Sequence, residues 1–330
     1  MSDAWVCTEL NGEDGLALQG QDELTCGPGQ VLVNTHCVAL NFPDVLITRG
    51  EYQLKLDPPF IPGSELAGEV LAVGEGVTEI APGQRVLAMT GFGAFASQVL
   101  VAPPMQQVMV IPDAMSFEHA AAFNMVYGTA MHGLEQRGAL QEGETLLVLG
   151  AAGGCGSAAV QIGKAMGARV IAGASSDEKC ALAQQSGADE TINYSREDLR
   201  ERALALTDGE GVNAVFDPVG DALFRPASRS LAWNGRYLVV GFAGGDIPQL
   251  GVNYTILKSI AVVGVAYGMS AIKDPAMNAE NFERLFDWYE QGLLQPHIGH
   301  HYACEQLPDA LREMHAGRAL GKTVVSFHAD

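Results

Sequence analysis

The sequence predicts an α/β protein: a doubly wound parallel sheet together with a β-rich domain, the latter a barrel or a sandwich. Three observations predict it. Residues 1 to about 115 carry short apolar runs broken by Gly/Pro pairs. From Thr145 onward, apolar strands alternate with helical stretches. The first of those strands runs into a glycine-rich turn, Gly150 to Gly156, that opens a helix. Alternation of this kind favours a parallel sheet covered on both faces.

The elements follow in order. Strand candidates in the first part are Gln30–Leu40, Gly68–Gly74, Gln84–Ala88 and Ser97–Ala102, separated by Gly27-Pro28-Gly29, Pro58-Pro59, Pro62-Gly63 and Pro82-Gly83. Ser116–Phe123 and Val126–Gln136 read as helices. Strands are then expected at Thr145–Leu149, Arg169–Ala174, Glu190–Ile192, Ala214–Asp217, Arg236–Gly241 and Ile260–Val265. Helices are expected at about 155–166, 177–186, 195–206, 221–232 and 253–258. Asn281–Gln291 is amphipathic, with Phe282, Leu285, Phe286 and Tyr289 on one stripe. Gln306–His315 is a further helix, and Thr323–Phe327 closes as a strand.

Composition narrows the function classes. The 330 residues are 48% hydrophobic and 18% charged, which excludes general disorder. A net charge of −20 argues against nucleic acid or anionic membrane as a partner, since both are polyanions. The six cysteines form no CxxC pair and read as reduced, buried thiols. The start lacks a basic and an apolar signal region, and no run approaches the ~20 residues of a membrane span. A cytoplasmic protein is expected.

Gly154-x-Gly156-x-x-Ala159 fits the dinucleotide fingerprint in its Gly/Ala form. Glycine lets backbone N–H groups approach a pyrophosphate, and the helix N-terminus adds partial positive charge. Ala152, Gly153, Gly154, Cys155 and Gly156 are the expected cradle. The next strand ends at Ala174-Ser175-Ser176 with no carboxylate of the kind that binds ribose hydroxyls in NAD sites. Ser176 can cap a helix starting at Asp177, which puts Lys179 in its first turn. A cation there opposes the helix dipole unless an anion docks nearby. Ser175, Ser176, Lys179 and Tyr194 therefore predict NADPH as the cofactor.

Ala151-Ala-Gly-Gly-Cys-Gly156, Val126-Tyr-Gly-Thr-Ala130, Asn41-Phe-Pro-Asp44, Pro62–Val70 and Gly321-Lys-Thr-Val-Val325 together resemble the zinc-independent quinone oxidoreductases of the medium-chain dehydrogenase/reductase superfamily. The resemblance implies a GroES-like β-barrel catalytic domain at 1–120, completed by 268–330. It implies a Rossmann domain at 121–267 and a homodimer. In the alcohol dehydrogenases of that superfamily, zinc is held by the Cys of Cys-x-x-Asp and the His of Gly-His-Glu. Here those motifs read Asn41-Phe-Pro-Asp44 and Gly63-Ser64-Glu65, and the Ala122–Met125 segment has no Cys. No metal is expected, and His297-Ile-Gly-His300-His301 reads as ordinary polar residues near the surface. Without a Lewis acid, the easier acceptors delocalise their own negative charge. Quinones come first, activated alkenes such as α,β-unsaturated carbonyls or enoyl thioesters second, and a non-enzymatic NADPH-binding protein third. By resemblance, Asn41 and Tyr52 are the catalytic candidates, and Thr129, Phe242 and Arg318 are further cofactor contacts. Asp44 and Glu65 are expected to do structural electrostatic work, and Asp217 to cap a helix.

Overall fold

The computed structural model describes residues 2–327. Contacts divide the chain into two compact units, Met1–Met125 with Pro296–Asp330, and Val126–Gln295.

The first unit opens with a hairpin, β1 (Ser2–Cys7) and β2 (Leu16–Gln21). Then follow β3 (Val31–Ala39), α1 (Phe42–Thr48), β4 (Glu65–Val73), β5 (Arg85–Met89), β6 (Gln98–Val101), β7 (Gln107–Val110) and α2 (Phe117–Ala121). Helix α3 (Asn124–Met131) leads out of the unit. The β3, β4, β5 and β7 ladders are all antiparallel. Val31, Val33, Leu66, Val86 and Phe95 are core members of this unit.

The second unit continues with β8 (Thr145–Val148), α4 (Gly154–Ala165), β9 (Arg169–Ala174), α5 (Asp177–Gln185), β10 (Glu190–Asn193), α6 (Leu199–Leu206), β11 (Val212–Asp217), α7 (Phe224–Arg229), β12 (Leu231–Val239), α8 (Tyr254–Leu257), β13 (Ala261–Gly264), α9 (Tyr267–Lys273) and α10 (Pro275–Glu290). Its six strands are parallel in the order β10-β9-β8-β11-β12-β13. That is the order of a doubly wound dinucleotide-binding sheet, with its topological switch between β8 and β11. The strands at the centre are apolar and buried almost throughout, as a sheet covered on both faces requires. The chain then returns to the first unit as β14 (Ile298–Ala303), α11 (Leu307–His315) and β15 (Lys322–Ser326). Strand β15 pairs parallel with β14 and antiparallel with β3, joining the chain's end to its beginning.

Three of the boundaries that differ from the sequence reading have a visible cause. The return to the first unit falls at Pro296, not at 268. Helices α9 and α10 stay with the parallel sheet because Asn281 exchanges amide hydrogen bonds with Gln136 and Arg284 pairs with Glu135 at 2.6 Å. The helix expected at 221–232 is α7 alone, preceded by a 3-10 turn. Pro226 sits in its first turn, where a missing N–H costs nothing, and Leu231 already belongs to β12. The helix expected from 195 begins at Leu199, because Asp198 accepts the Glu201 N–H at 2.8 Å and so caps it there. Among the described residues, no helix is long and apolar enough to cross a membrane.

Candidate active site

The cradle lies at the C-terminal end of β8. Gly150 turns the chain with φ +58°, and Gly153 follows it and flanks α4. A Cβ on Gly156 would stand 2.1 Å from the Gly150 carbonyl oxygen, so only glycine lets the helix start this close to the turn. Ala152, Gly153, Gly154 and Cys155 complete the loop, with Ala152 buried. The first N–H groups of α4 lack acceptors within the helix, as at helix ends that can hold an anion. The sequence reading placed Gly150 at the start of the turn but did not count it among the cradle residues, although a lone Gly at the end of an apolar strand is the usual signal of a tight βα turn.

At the end of β9, Ser176 caps α5 as expected, accepting the Lys179 N–H at 3.2 Å. Lys179 is half-buried, and its ammonium forms no hydrogen bond or ion pair among the described residues. Two carboxylates precede it, Asp177 and Glu178, and Asp177 is already committed. It accepts from the Asn193 amide at 2.6 Å and pairs with Arg196, a cation that the sequence reading did not single out. Tyr194 follows β10, and burial pushes its hydroxyl above the ordinary phenol range. Asp217, at the end of β11, caps no helix. Its Oδ1 accepts the Val219 and Gly220 N–H groups, and its Oδ2 accepts the Tyr237 hydroxyl at 2.6 Å. It therefore fixes the 218–220 turn. Phe242 lies against Gly220 in the same unit. Thr129 is buried in the second turn of α3 rather than at its start.

The first unit holds a buried polar cluster built from three distant segments. Gly63 adopts φ +93°, and a Cβ there would strike the Phe95 ring at 2.2 Å. This fixes the turn that presents Ser64 and Glu65 inward. Lys322, the first residue of β15, is 4% exposed. Its ammonium donates to the Leu40 carbonyl at 3.0 Å, to Asn41 Oδ1 at 2.8 Å and to Glu65 Oε1 at 2.8 Å. All three of its protons are satisfied. Asn41 Nδ2 donates to Glu65 Oε1 and to Ser64 Oγ, and Glu65 Oε2 accepts the Met125 N–H. Both N–H groups of the Asn41 amide are thus engaged within the unit. Asn41 orders this cluster; it has no idle donor to turn toward a substrate.

Asp44 is the second carboxyl of the cluster. Its Oδ2 accepts the Asn41 N–H at 2.8 Å and the Ser64 hydroxyl at 3.4 Å, while Oδ1 is buried without a partner. Burial raises its pKa to about 7, and hydrogen bonds and Lys322 offset this only in part. The ammonium sits on Glu65, so desolvation dominates at Asp44. A native carboxyl that holds its proton more tightly than the unfolded one loses stability as pH rises from about 4 to about 7. Asp44→Asn should remove that contribution. Urea midpoints of the two proteins should converge at pH 4, with the variant ahead by a few kcal/mol above pH 7. Parallel profiles would refute the assignment.

Tyr52 lies in the bend after α1 and is half-buried. Its hydroxyl has no hydrogen-bond partner among the described residues, and burial together with the Asp44 carboxyl raises its pKa. Arg318 is exposed, and its guanidinium forks onto Glu313 at 2.6 and 2.8 Å.

Zinc does not fit this cluster. An amide, a hydroxyl and two carboxyl groups stand where the ion prefers thiolate and imidazole, and an ammonium already lies 2.8 Å from two of them. Among the described residues, no three His, Cys, Asp or Glu side chains are grouped to hold a metal. His301 instead meets the Ser326 hydroxyl at 2.6 Å, and His300 stacks on Tyr302.

Comparison with known proteins matches this geometry to one family. Residues 27–113 match the alcohol dehydrogenase GroES-like domain, and residues 154–288 match the zinc-binding dehydrogenase domain. Quinone oxidoreductase-like protein 2 of Bos taurus is 38% identical over 98% of this chain and 92% of its own. The solved quinone oxidoreductase of Pseudomonas syringae superposes with a TM-score of 0.91 at 32% identity, covering 99% of this chain and all of the other. The Escherichia coli quinone oxidoreductase, solved with NADPH, gives 0.90 at 26% identity over 98% and 99%. The CurK enoyl reductase gives 0.87 at 27% identity over 98% and 99%. A GroES-like unit and a Rossmann unit carrying this cradle make the chain an oxidoreductase, and it belongs to the quinone oxidoreductase family of the medium-chain dehydrogenases/reductases.

Proposed function

We propose that this chain reduces quinones with NADPH and without a metal ion. The observation that carries the reading is the seat of Lys322. Its ammonium rests on Asn41 and Glu65, at the positions that resemble the alcohol dehydrogenase zinc-ligand motifs. An acceptor here must spread its own developing charge, as a quinone does, because no Lewis acid is built to stabilise an alkoxide.

The residues present fit a reduced nicotinamide dinucleotide, which supplies a hydride when bound. Gly150 to Gly156 would hold the pyrophosphate. Lys179, with Ser175 and Ser176, would take the 2′-phosphate, since its ammonium is uncommitted while Asp177 is neutralised by Arg196. Lys179→Ala should raise the NADPH Kd about tenfold and leave that of NADH unchanged. Equal losses for both would remove the NADP preference. Tyr52 would donate to the acceptor oxygen from a hydroxyl held protonated by burial. Tyr52→Phe should lower kcat at least tenfold at constant NADPH affinity; an unchanged kcat would remove the tyrosine from the chemistry.

Reduction of α,β-unsaturated carbonyls or enoyl thioesters is the second reading, favoured by the likeness to CurK. NADPH oxidation followed with 1,4-benzoquinone and 9,10-phenanthrenequinone, against crotonyl-CoA and 2-alkenals, separates them. Turnover confined to the alkenes would overturn the quinone assignment. A homodimer is the assembly we infer. The outer strand β13 has an open edge and is largely exposed, and Val252, Ile256 and Leu257 just before it are exposed apolar side chains. A monomeric mass by light scattering would refute it.

A further inference from the structure

The chain has thirteen arginines, and in ten of them the guanidinium grips a carboxylate or a backbone carbonyl. The three that form no ion pair or hydrogen bond among the described residues are Arg200, Arg225 and Arg229. All three line one groove on the Rossmann unit, of about 450 Å³, together with Asp198, Glu201 and Pro226. An adjoining depression of about 360 Å³ shares Arg200 and Arg229 and adds Tyr254 and Lys258. We propose that this groove is a binding site for a short polyphosphate. None of its lining residues belongs to the dinucleotide cradle.

Four features support the assignment. In a protein of net charge −20, acids are abundant, and arginines normally find them. Here three like charges are held together on neighbouring helices instead, α6 carrying Arg200 and α7 carrying Arg225 and Arg229. Of the two acids in the groove, Asp198 is committed to capping α6 and Glu201 pairs with none of the three. Arg200 also stands in the first turn of α6, where a cation opposes the helix dipole, so helix stability does not account for it. Lys258 at the far end is fixed, its ammonium donating to the Leu231 carbonyl at 2.7 Å.

The shape selects the ligand. Two depressions joined at Arg200 and Arg229 make an elongated site, with Arg225 at one end and Lys258 and Tyr254 at the other. Guanidinium forks match phosphoryl oxygens bidentately, so consecutive phosphoryl groups could engage successive cations. A single phosphate would use one part of the groove only. A long polyanion such as RNA would run beyond it into the acidic remainder of the surface. The fitting class is a chain of two or three phosphoryl groups, free or carried on a nucleoside.

Titration of the full-length protein with inorganic tripolyphosphate at low salt, by calorimetry, tests this. Saturating NADPH should leave the affinity unchanged. Arg200→Gln/Arg229→Gln should weaken it at least tenfold, with Arg200→Lys/Arg229→Lys intermediate. Arg284→Gln/Arg312→Gln, which removes two paired surface arginines, should change it less than twofold. Thermal unfolding without ligand checks that each variant is folded. Absence of binding would overturn the proposal, as would binding that NADPH displaces and the groove variants leave intact. An equal loss in the Arg284/Arg312 control would reduce the effect to general electrostatics and overturn it too. Groove-dependent binding of a twelve-nucleotide RNA more tightly than tripolyphosphate would refute the short-anion assignment.

Discussion

Gly156→Val should abolish nucleotide binding. The new Cβ would lie 2.1 Å from the Gly150 carbonyl oxygen and 2.7 Å from its carbon, both backbone atoms that no rotamer can move aside. Helix α4 must then retreat from the turn, and its N–H groups leave the place where a pyrophosphate would lie. A loss of at least about 100-fold in NADPH affinity, read by nucleotide fluorescence, corresponds to about 3 kcal/mol. Gly153→Ala is the matched control, because its Cβ would come no nearer than 3.4 Å to the Gly150 oxygen. That variant should fold with near-native stability. Retained NADPH affinity in Gly156→Val would show that the turn is a structural feature without a ligand.

Lys322→Met should destabilise the protein by about 3–5 kcal/mol, the usual cost of leaving a buried charge without its partner. Glu65 is fully buried, and it would keep only the Asn41 amide and the Met125 N–H as donors. Asn41 would lose the ammonium that fixes its carbonyl oxygen. The double variant Lys322→Met/Glu65→Gln removes both charges and should recover much of the loss, because a neutral amide can still accept the Met125 N–H. Chemical denaturation of the four proteins in the cycle reads the coupling. Additive effects, or a Lys322→Met protein as stable as the parent, would show that the pair is not electrostatically coupled.

The local structure of the proposed nucleotide cradle was legible because its interactions are local. Strand, glycine turn and helix are contiguous in sequence, and Ser176 caps a helix by accepting an N–H only three residues on. The β-rich half was less so. The hairpin β1–β2, helix α1 and the edge strands β7 and β14 lack a strong period, and α1 announced itself only through Asn41-Phe-Pro-Asp44. Asn41 was singled out through family resemblance as a catalytic candidate, but the hydrogen bonds that engage its amide were not foreseen. Lys322 was quoted as part of a motif and never as a site residue, although a lysine heading the apolar run Thr323-Val-Val was a signal of a buried, paired charge. The three arginines without a partner among the described residues could not be told from the other ten, because sequence gives no indication of which cations meet an acid in space.

The sequence by itself determined the layered α/β class, the parallel-sheet alternation and the glycine turn, since each is written in neighbouring residues and their periodicity, and the absence of the zinc-type thiolate and imidazole followed from its resemblance to the superfamily. Only the tertiary structure decided what stands at the resembling positions. Lys322 reaches Glu65 across 257 positions of sequence and Asn41 across 281. Burying one ammonium between two acids' worth of polar surface leaves Glu65 paired and Asp44 desolvated, an outcome set by distance and dielectric and not by spacing along the chain.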